Sequence, residues 1–232
     1  LMLVESFNSI NIKKELTENE DLIKMFGIKG LVKDAISDFI IEFDDGHKAR
    51  VIAKGSGQSL RGVKWENKRP DLILCDDLEN DEIVMNKDRR TKFRRWFSGT
   101  LIPCRSKDGI IRVIGTVIHQ DSFLERLMPR EANKKNVIVS DLKTYYRTYN
   151  GVTWHSAKYK AHDKNFEKSL WPEFKPVAWL KNERQTFVDQ GMLDIWSQEM
   201  LNVPLDEENA LFRKKDFKEM SDDDKKKNYN YY

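Results

Sequence analysis

The run Leu72-Ile73-Leu74-Cys75 is the feature that most constrains the fold of this chain. Its apolar residues stand together without polar alternation, which is typical of a strand buried on both faces in a parallel sheet. Asp76, Asp77 and Glu79 follow the run directly. Because ligands of open α/β sheets bind beyond the carboxyl ends of the strands, the sequence predicts a polar site at the tip of a buried strand.

Similar apolar runs and amphipathic segments alternate further along the chain. Buried strands are predicted over 110 to 114 and over 137 to 139. A basic amphipathic helix is favoured over 86 to 97, before the first of these strands, with Asn86 as its N-cap. A second helix, capped by Asp121 and running to Met128, is favoured between the two strands. This alternation predicts an α/β fold with a mostly parallel sheet and flanking helices.

The flanking segments carry their own signals. Apolar spacing predicts one helix over 10 to 26, ended by Gly27, and alternation around Asp44-Asp45-Gly46 predicts a hairpin over 39 to 53. After a turn at Trp171-Pro172-Glu173, two helices are expected over 177 to 190 and 192 to 201, separated at Gly191. The charged stretch 213 to 227 reads as a linker.

Composition narrows the class of protein. Charged residues make up 34% of the 232 residues and hydrophobic ones 39%, which indicates a globular chain rather than a disordered one. No apolar run approaches the ~20 residues of a membrane helix. The net charge of +3 is compatible with nucleic-acid contact without indicating it. Cys75 and Cys104 have no metal-ligand spacing and are interpreted as reduced thiols.

The acidic tip suggests nucleotide chemistry. A carboxylate at a strand tip can hold Mg²⁺, and a second can orient a water for attack on the γ-phosphate of ATP. Asp76 suits the metal role, and either Asp77 or Glu79 suits the water-positioning role. The alternative is a strand end whose acids cap a helix or face solvent.

Two other segments can contribute to such a site. Gly115 and Thr116 follow the predicted strand over 110 to 114 and can sense the γ-phosphate, although an ordinary strand-to-loop turn has the same pattern. Arg61, in the loop 57 to 62, can act as an arginine finger worth roughly 10³ to 10⁵ in rate. The alternative for Arg61 is a surface ion pair worth less than about 1 kcal/mol.

The basic helix is a possible phosphate-facing surface, although a solvated basic face is the simpler interpretation. Its aromatic residues Phe93, Trp96 and Phe97 are predicted to lie in the core. The basic residues of this helix are Lys87, Arg89, Arg90, Lys92, Arg94 and Arg95.

The sequence contains no G-x-x-x-x-G-K-[ST] motif, which a complete P-loop enzyme needs to cradle phosphates.

Taken in order, these segments resemble the large subunit of tailed-bacteriophage terminases over nearly the whole chain. The acidic motif has the form Asp-Asp-x-Glu rather than Asp-Glu, which leaves the water-positioning residue open between Asp77 and Glu79. The segments that carry the resemblance are Ile12-Lys13-Lys14-Glu15-Leu16 with Asn19 and Phe26-Gly27, the glycine-arginine loop 55 to 62, the Walker B strand 69 to 79, Arg90 with Trp96, Ile114-Gly115-Thr116 with His119 and Asp121, Leu170-Trp171-Pro172-Glu173, and 196 to 204.

The resemblance implies a motor that hydrolyses ATP with Mg²⁺ to drive double-stranded DNA into a procapsid, and a separate C-terminal nuclease. Asp76 would coordinate Mg²⁺, Asp77 or Glu79 would be the catalytic carboxylate, Gly115 and Thr116 would couple hydrolysis to movement, and Arg61 would act across a subunit interface. The implied partners are double-stranded DNA, the small terminase subunit, the portal protein and further copies in a ring, at the portal vertex in the host cytoplasm.

The resemblance also implies a domain plan. Residues 1–161 would form a partial P-loop NTPase core, 162–212 a small helical lid or linker subdomain, and 213–232 a linker toward the nuclease. The phosphate-binding loop would precede Leu1 and the nuclease carboxylates would follow Tyr232, so this chain alone is expected to have neither activity. The alternatives are another P-loop nucleic-acid motor resembling a helicase, and a non-catalytic α/β interaction fragment.

Overall fold

A computed structural model of the protein describes residues 2–4, 9–55, 58–128, 137–146 and 154–204. The strands are β1 (Met2–Val4), β2 (Ile28–Lys33), β3 (Asp38–Phe43), β4 (Lys48–Lys54), β5 (Leu72–Asp76), β6 (Ile110–Ile114), β7 (Val137–Val139), β8 (Lys143–Tyr146) and β9 (Ser156–Tyr159). The α-helices are α1 (Ser9–Glu18), α2 (Glu20–Phe26), α3 (Asp81–Met85), α4 (Lys87–Trp96), α5 (Phe123–Leu127), α6 (Val177–Asp189) and α7 (Leu193–Leu201).

The main sheet has the strand order β2-β3-β4-β1-β5-β6. β4, β1, β5 and β6 are mutually parallel, and β3 joins them as an antiparallel strand that also pairs with β2. The predicted α/β class is therefore confirmed, and the parallel part of the sheet comprises these four strands. The predicted buried strand over 72 to 75 is β5, in which Ile73 and Cys75 are fully buried. The run over 110 to 114 forms β6 as predicted, but the prediction that it is buried is wrong: among the described residues β6 is an edge strand, and Ile110 and Ile114 are 55% and 56% exposed.

The third apolar run does not join this sheet. Val137–Val139 forms β7, which pairs antiparallel with β8, and β8 pairs antiparallel with β9 in a separate three-stranded sheet. The prediction of an α/β alternation through 137 to 139 is therefore wrong. Val139 pairs with Thr144 across a short turn, and so short a connection allows only antiparallel pairing, so β7 is taken up by a hairpin with β8.

The helical segment before β2 is interrupted at Asn19. The sequence predicts one helix over 10 to 26, but the side chain of Asn19 accepts hydrogen bonds from the backbone N–H groups of Asp21 and Leu22 and starts α2 as its N-cap. Asparagine competes with helical backbone bonding in this way, so two shorter helices form. Gly27 ends α2 as predicted, with φ of 62° in the left-handed region.

The predicted hairpin over 39 to 53 is confirmed as β3 and β4. The guanidinium of Arg50 in β4 donates two hydrogen bonds to the carboxylate of Asp38 in β3, at 2.7 and 2.8 Å. Lys33 of β2 forms an ion pair with the same carboxylate. This pairing ties three neighbouring strands together at one edge of the sheet. The predicted loop over 55 to 62 has no strand or helix in its described part, and residues 56 and 57 lie outside the described ranges.

The core that supports the tip of β5 lies on one face of β5 and β6. α4 starts at Lys87 with Asn86 as its N-cap, as predicted, and continues into a π-helical turn (Phe97–Leu101). Phe93 and Phe97 are buried and pack against Phe123 of α5, with the Phe97 and Phe123 rings 4.2 Å apart. The prediction that the aromatic residues of this helix lie in the core is confirmed for these two.

The helix α5 begins one residue later than predicted. Its N-cap is Ser122, whose hydroxyl accepts a hydrogen bond from the N–H of Glu125, and not Asp121. Asp121 instead binds arginine side chains, and these contacts are taken up with the site below. The reason for the difference is that a buried serine reaches the free N–H groups of the first turn while the aspartate faces the cations of α4.

The segment 154 to 204 contains the predicted turn at Trp171 and the predicted helices α6 and α7, separated at Gly191 with φ of 68°. Its contacts with the rest of the fold include Asn202, whose side chain accepts a hydrogen bond from the N–H of Val117 in the loop after β6 at 3.0 Å, and Lys158, which pairs with Glu125 of α5 at 3.2 Å. The predicted charged linker over 213 to 227 lies outside the described residues. Within the described ranges, no helix has the length and apolar character to span a membrane.

Substitution of Asp38 tests the pairing that joins β2, β3 and β4. The hydrogen bond from Arg50 holds the pKa of Asp38 at about 2, below its ordinary value of 3.8. A depressed carboxyl pKa stabilises the fold above the ordinary value and loses this contribution as the pH falls toward 2. Asp38→Asn should lower the free energy of unfolding by about 1 to 2 kcal/mol at neutral pH, because solvent screens part of the interaction.

The measurement is urea unfolding at several pH values. The free energy of unfolding of the wild type should exceed that of Asp38→Asn at pH 4 and above. This difference should disappear as the pH falls from 4 to about 2. Asp108→Asn, in an exposed turn, is the control and should leave the curve unchanged within about 0.5 kcal/mol. Parallel pH curves for wild type and Asp38→Asn would contradict the assignment.

Candidate functional site

The tips of β5 and β6 meet at one edge of the main sheet. The two strands are parallel neighbours in register, with Asp76 opposite Ile114. The N–H of Asp77 donates a hydrogen bond of 3.1 Å to the carbonyl of Ile114, which continues the contact beyond the strand ends. The structure therefore brings Asp76 and Asp77 beside Gly115 and Thr116.

Asp76 is half-buried at the end of β5. Burial raises the pKa of its carboxyl, and the negative charge of Asp77 raises it further. A carboxylate that is partly removed from water beside a second carboxylate is stabilised by a cation. A proton or a bound cation at Asp76 would relieve this electrostatic cost.

Asp77 has an unusual backbone conformation. Its φ of 43° lies in the left-handed region, where few residues other than glycine, asparagine and aspartate are found. A Cβ atom on Gly115 would lie 3.2 Å from the Asp77 carboxylate and from a Leu124 methyl, so a side chain at this position would require both neighbours to shift slightly. The Asp77 side chain is exposed and has no hydrogen-bond partner among the described residues. Asp76 likewise has no such partner in the described part of the protein, but Asp77 is the more exposed of the two carboxylates.

Glu79 is used differently. Its carboxylate accepts the N–H of Phe123 at 2.7 Å and that of Leu124 at 3.4 Å, and so caps the amino end of α5. Burial raises the pKa of Glu79, while these backbone hydrogen bonds and nearby arginines lower it. The sequence left Asp77 and Glu79 equal for the water-positioning role. The geometry separates them, because Glu79 is committed to a helix end and Asp77 is not.

Asp121 joins the two helices that pack under the tip. It binds Arg90 at 3.0 Å and Arg94 at 3.5 Å from α4, and Arg126 from α5. Burial alone would raise the pKa of Asp121, but the hydrogen bonds from Arg126 and Arg90 lower it overall. Its backbone N–H donates to the Nδ1 of His119 at 2.9 Å. Sequence reasoning missed this cluster, since its partners lie about thirty positions apart in the chain.

The basic helix is partly neutralised by the same contacts. Arg90 and Arg94 bind Asp121, and Arg89 pairs with Glu82 of α3. These arginines hold elements of the fold together. The hypothesis that the helix as a whole faces phosphates is therefore weakened by the engagement of its arginines.

Arg61 is not brought to the acidic tip. It is exposed in the turn after the buried Leu60 and lines a cleft of about 340 Å³ together with Lys64 and Arg69. Arg69 leads into the amino end of β5, whereas Asp76 ends that strand, and five residues of strand span roughly 15 Å. Within one chain, Arg61 thus lies at the opposite end of β5 from the acids.

The tip alone cannot enclose a nucleotide. Its cleft, lined by Asp77, Glu79, Gly115 and Thr116 among others, has a volume of about 10 Å³, the size of one water. Among the described residues, no group of three or more His, Cys, Asp or Glu side chains is placed to hold a metal. Mg²⁺ is often held by one or two carboxylates plus phosphate oxygens and waters, so Asp76 fits as a single protein ligand.

Comparison of the chain with protein-family models, curated proteins and solved structures gives no match. The site is therefore interpreted from its own geometry.

The different roles of Glu79 and Asp77 can be measured as stability. Glu79→Ala leaves the first N–H groups of α5 without an acceptor and should lower the free energy of unfolding by about 1 to 2 kcal/mol. Glu79→Gln retains one acceptor oxygen and should cost less. Asp77→Asn, which tolerates the left-handed backbone, should change stability by less than about 0.5 kcal/mol in the same urea titration. Equal losses in Glu79→Ala and Asp77→Asn would show that Glu79 has no capping role.

Proposed function

We propose that this chain forms the metal-binding wall of a nucleotide site in an ATP-driven motor that moves double-stranded DNA, of the kind found in the large terminase subunit. The observation that carries the proposal is the in-register parallel pairing of β5 and β6, which sets Asp76 and Asp77 against Gly115 and Thr116. A P-loop motor needs carboxylates and a phosphate sensor at neighbouring parallel strand tips.

The geometry supports a division of roles. Asp76 would hold Mg²⁺, which offsets the unfavourable burial of its carboxylate. Asp77 would orient the attacking water, because its carboxylate is exposed and unbonded at the tip. Thr116 would contact the γ-phosphate, with Gly115 providing the space that lets the two tips approach.

Glu79 and Asp121 provide a path from the tip to the surrounding helices. Glu79 follows the metal strand by three residues and caps α5, and Asp121 ties α5 to α4 through arginines on both helices. A displacement of the tip on loss of the γ-phosphate would therefore move both helices. In this proposal Glu79 is a positioning residue rather than the group that contacts the water.

The unpaired edge of β6 offers a place for the strand that would carry the phosphate-binding loop of such a site. Among the described residues β6 pairs only with β5, and Ile110 and Ile114 on one of its faces are 55% and 56% exposed. Exposed apolar strand edges favour pairing with a further strand. We propose that a further strand of the parent protein, carrying the phosphate-binding loop, pairs with this edge.

The proposed cofactors are ATP and Mg²⁺. The proposed partners are double-stranded DNA, the small terminase subunit, the portal protein and identical subunits in a ring at the portal vertex in the host cytoplasm. Arg61, which lies far from the acids of its own chain, would serve as a finger only toward a neighbouring subunit.

ATP turnover by the parent protein tests the proposal. Asp77→Asn should lower kcat by about 10² or more, the scale of a lost catalytic proton acceptor, and Asp76→Ala should remove the dependence on Mg²⁺ together with most activity. Glu79→Gln should reduce kcat by about tenfold or less, because it acts through position. Asp108→Asn, in the exposed turn before β6, is the control and should retain activity.

The isolated chain of 232 residues should show no Mg²⁺-dependent turnover. Turnover by the parent that survives both Asp76→Ala and Asp77→Asn would overturn the proposed site. Turnover by the isolated chain that is lost in Asp76→Ala would retain the site but contradict the need for an upstream phosphate loop.

A further inference from the structure

Two adjoining clefts lie at the amino ends of β4 and β5, away from the acidic tip. The larger, of about 560 Å³, is bordered by the start of β4, the turn 65 to 68 and the residues that precede β5. The second is the cleft of about 340 Å³ that contains Arg61. Both clefts share Val63, Lys64 and Arg69, so they form one continuous depression. We call it the basic groove, and its cations are Lys48, Arg50, Arg61, Lys64, Lys68 and Arg69.

The charge of the basic groove is unbalanced. The acids that line it are Glu66 and Asp71, and Asp38 neutralises Arg50 from the side. The side-chain ammonium groups of Lys48, Lys64 and Lys68 have no ion-pair or hydrogen-bond partner among the described residues. This distinguishes the groove from α4, where Arg89, Arg90 and Arg94 bind acids of the fold. A concave surface of one charge sign attracts a polyanion.

The walls of the groove are held in place by backbone contacts. Trp65 and Lys68 exchange two hydrogen bonds of 2.9 Å across a tight turn whose central residues Glu66 and Asn67 have φ of 50° and 62°. Arg50 donates to the carbonyl of Lys64 at 3.3 Å, which fixes the loop to β4. Arg69 donates to the carbonyl of Pro103 and joins the groove to the turn after α4. The lysine ammonium groups are thus presented from a defined surface.

Trp65 adds an aromatic surface between these cations. Its indole is half-buried and lines the larger cleft beside Lys64 and Lys68. Cationic grooves that carry aromatic rings bind single strands by stacking bases on the rings. The bases of a duplex are stacked inside the helix, so on duplex DNA such a ring would pack against a deoxyribose while the cations contact phosphates. An acidic polypeptide would use the cations but gain little from an aromatic face at this place.

We propose that the basic groove binds the sugar-phosphate backbone of duplex DNA without sequence preference, with Lys48, Lys64 and Lys68 on phosphates and Trp65 against a deoxyribose. The inference rests on the proposed function in one respect, since it names the surface where the transported DNA contacts this chain. It places DNA at the amino ends of the parallel strands and the nucleotide at their carboxyl ends.

Fluorescence anisotropy with a labelled duplex of about 24 base pairs tests the groove on the isolated chain. The affinity should fall linearly with the logarithm of the salt concentration, as expected for phosphate contacts. The triple variant Lys48→Glu, Lys64→Glu, Lys68→Glu should bind about tenfold or more weakly, and its salt slope should be smaller by about 3. Trp65→Leu should weaken binding by about threefold or more with the slope unchanged.

The control is the triple variant Lys92→Glu, Lys164→Glu, Lys181→Glu, which changes exposed lysines outside the groove and has the same net charge as the groove variant. It should keep the affinity within about threefold and the salt slope near that of the wild type. Where the groove variant unfolds at a lower urea concentration, Lys→Gln at the same positions replaces it, and the slope should still fall by about 3.

Equal losses in the groove and control variants would overturn the proposal, because binding would then follow net charge alone. Displacement of the duplex by polyglutamate at equal charge concentration would also overturn it and assign the groove to acidic polypeptides. The outcome is separable from the nucleotide site, since the groove variants leave Asp76 and Asp77 intact and the ATP assay of the parent reports on those residues.

Discussion

The parallel, in-register pairing of β5 with β6 is the interaction on which the candidate site depends. It sets Asp76 opposite Ile114. The residues that follow the two strands, Asp77 after β5 and Gly115 after β6, therefore lie beside each other. Side-chain packing fixes the register of this pairing, because Ile73 and Cys75 of β5 are buried in the same core cluster as Phe97 and Phe123. A slip of one residue would turn these side chains toward the other face and separate the tips. The apolar core therefore determines the polar site.

The carboxylates near the tip differ in their partners. Glu79 accepts hydrogen bonds from the amino end of α5, and Asp121 forms ion pairs with arginines of α4 and α5. Of these four carboxylates, only Asp76 and Asp77 remain available to a ligand at the tip. These differences have an electrostatic cause. Backbone N–H groups at a helix start and guanidinium groups both stabilise a carboxylate, whereas the tip offers Asp76 burial and a like charge.

The sequence predicted the features that depend on local chemistry. The apolar runs of β5 and β6, the N-cap Asn86 and the left-handed Gly27 are each encoded within a few residues. The antiparallel pairing of β7 and the helix break at Asn19 were missed because a turn or a cap outweighed the periodic pattern. The capping by Glu79 spans 44 positions and the Arg90–Asp121 pair spans 31, so neither leaves a signal in a short window of sequence. The basic groove was missed for the same reason, since β4 and the loop before β5 meet only in the folded sheet.

The two polar regions lie at opposite ends of the same strands. β5 begins beside the groove residue Asp71 and ends at Asp76, so one short, buried strand connects the cations to the carboxylates. A strand buried between β1 and β6 is held by hydrogen bonds on both sides and resists stretching. If a nucleotide moves the tip, the groove is displaced with the sheet as a rigid body, while α4 and α5 move through Glu79 and Asp121. In the proposed motor, chemistry at the carboxyl ends would thus reach DNA at the amino ends through displacement of the whole sheet rather than through a change inside it.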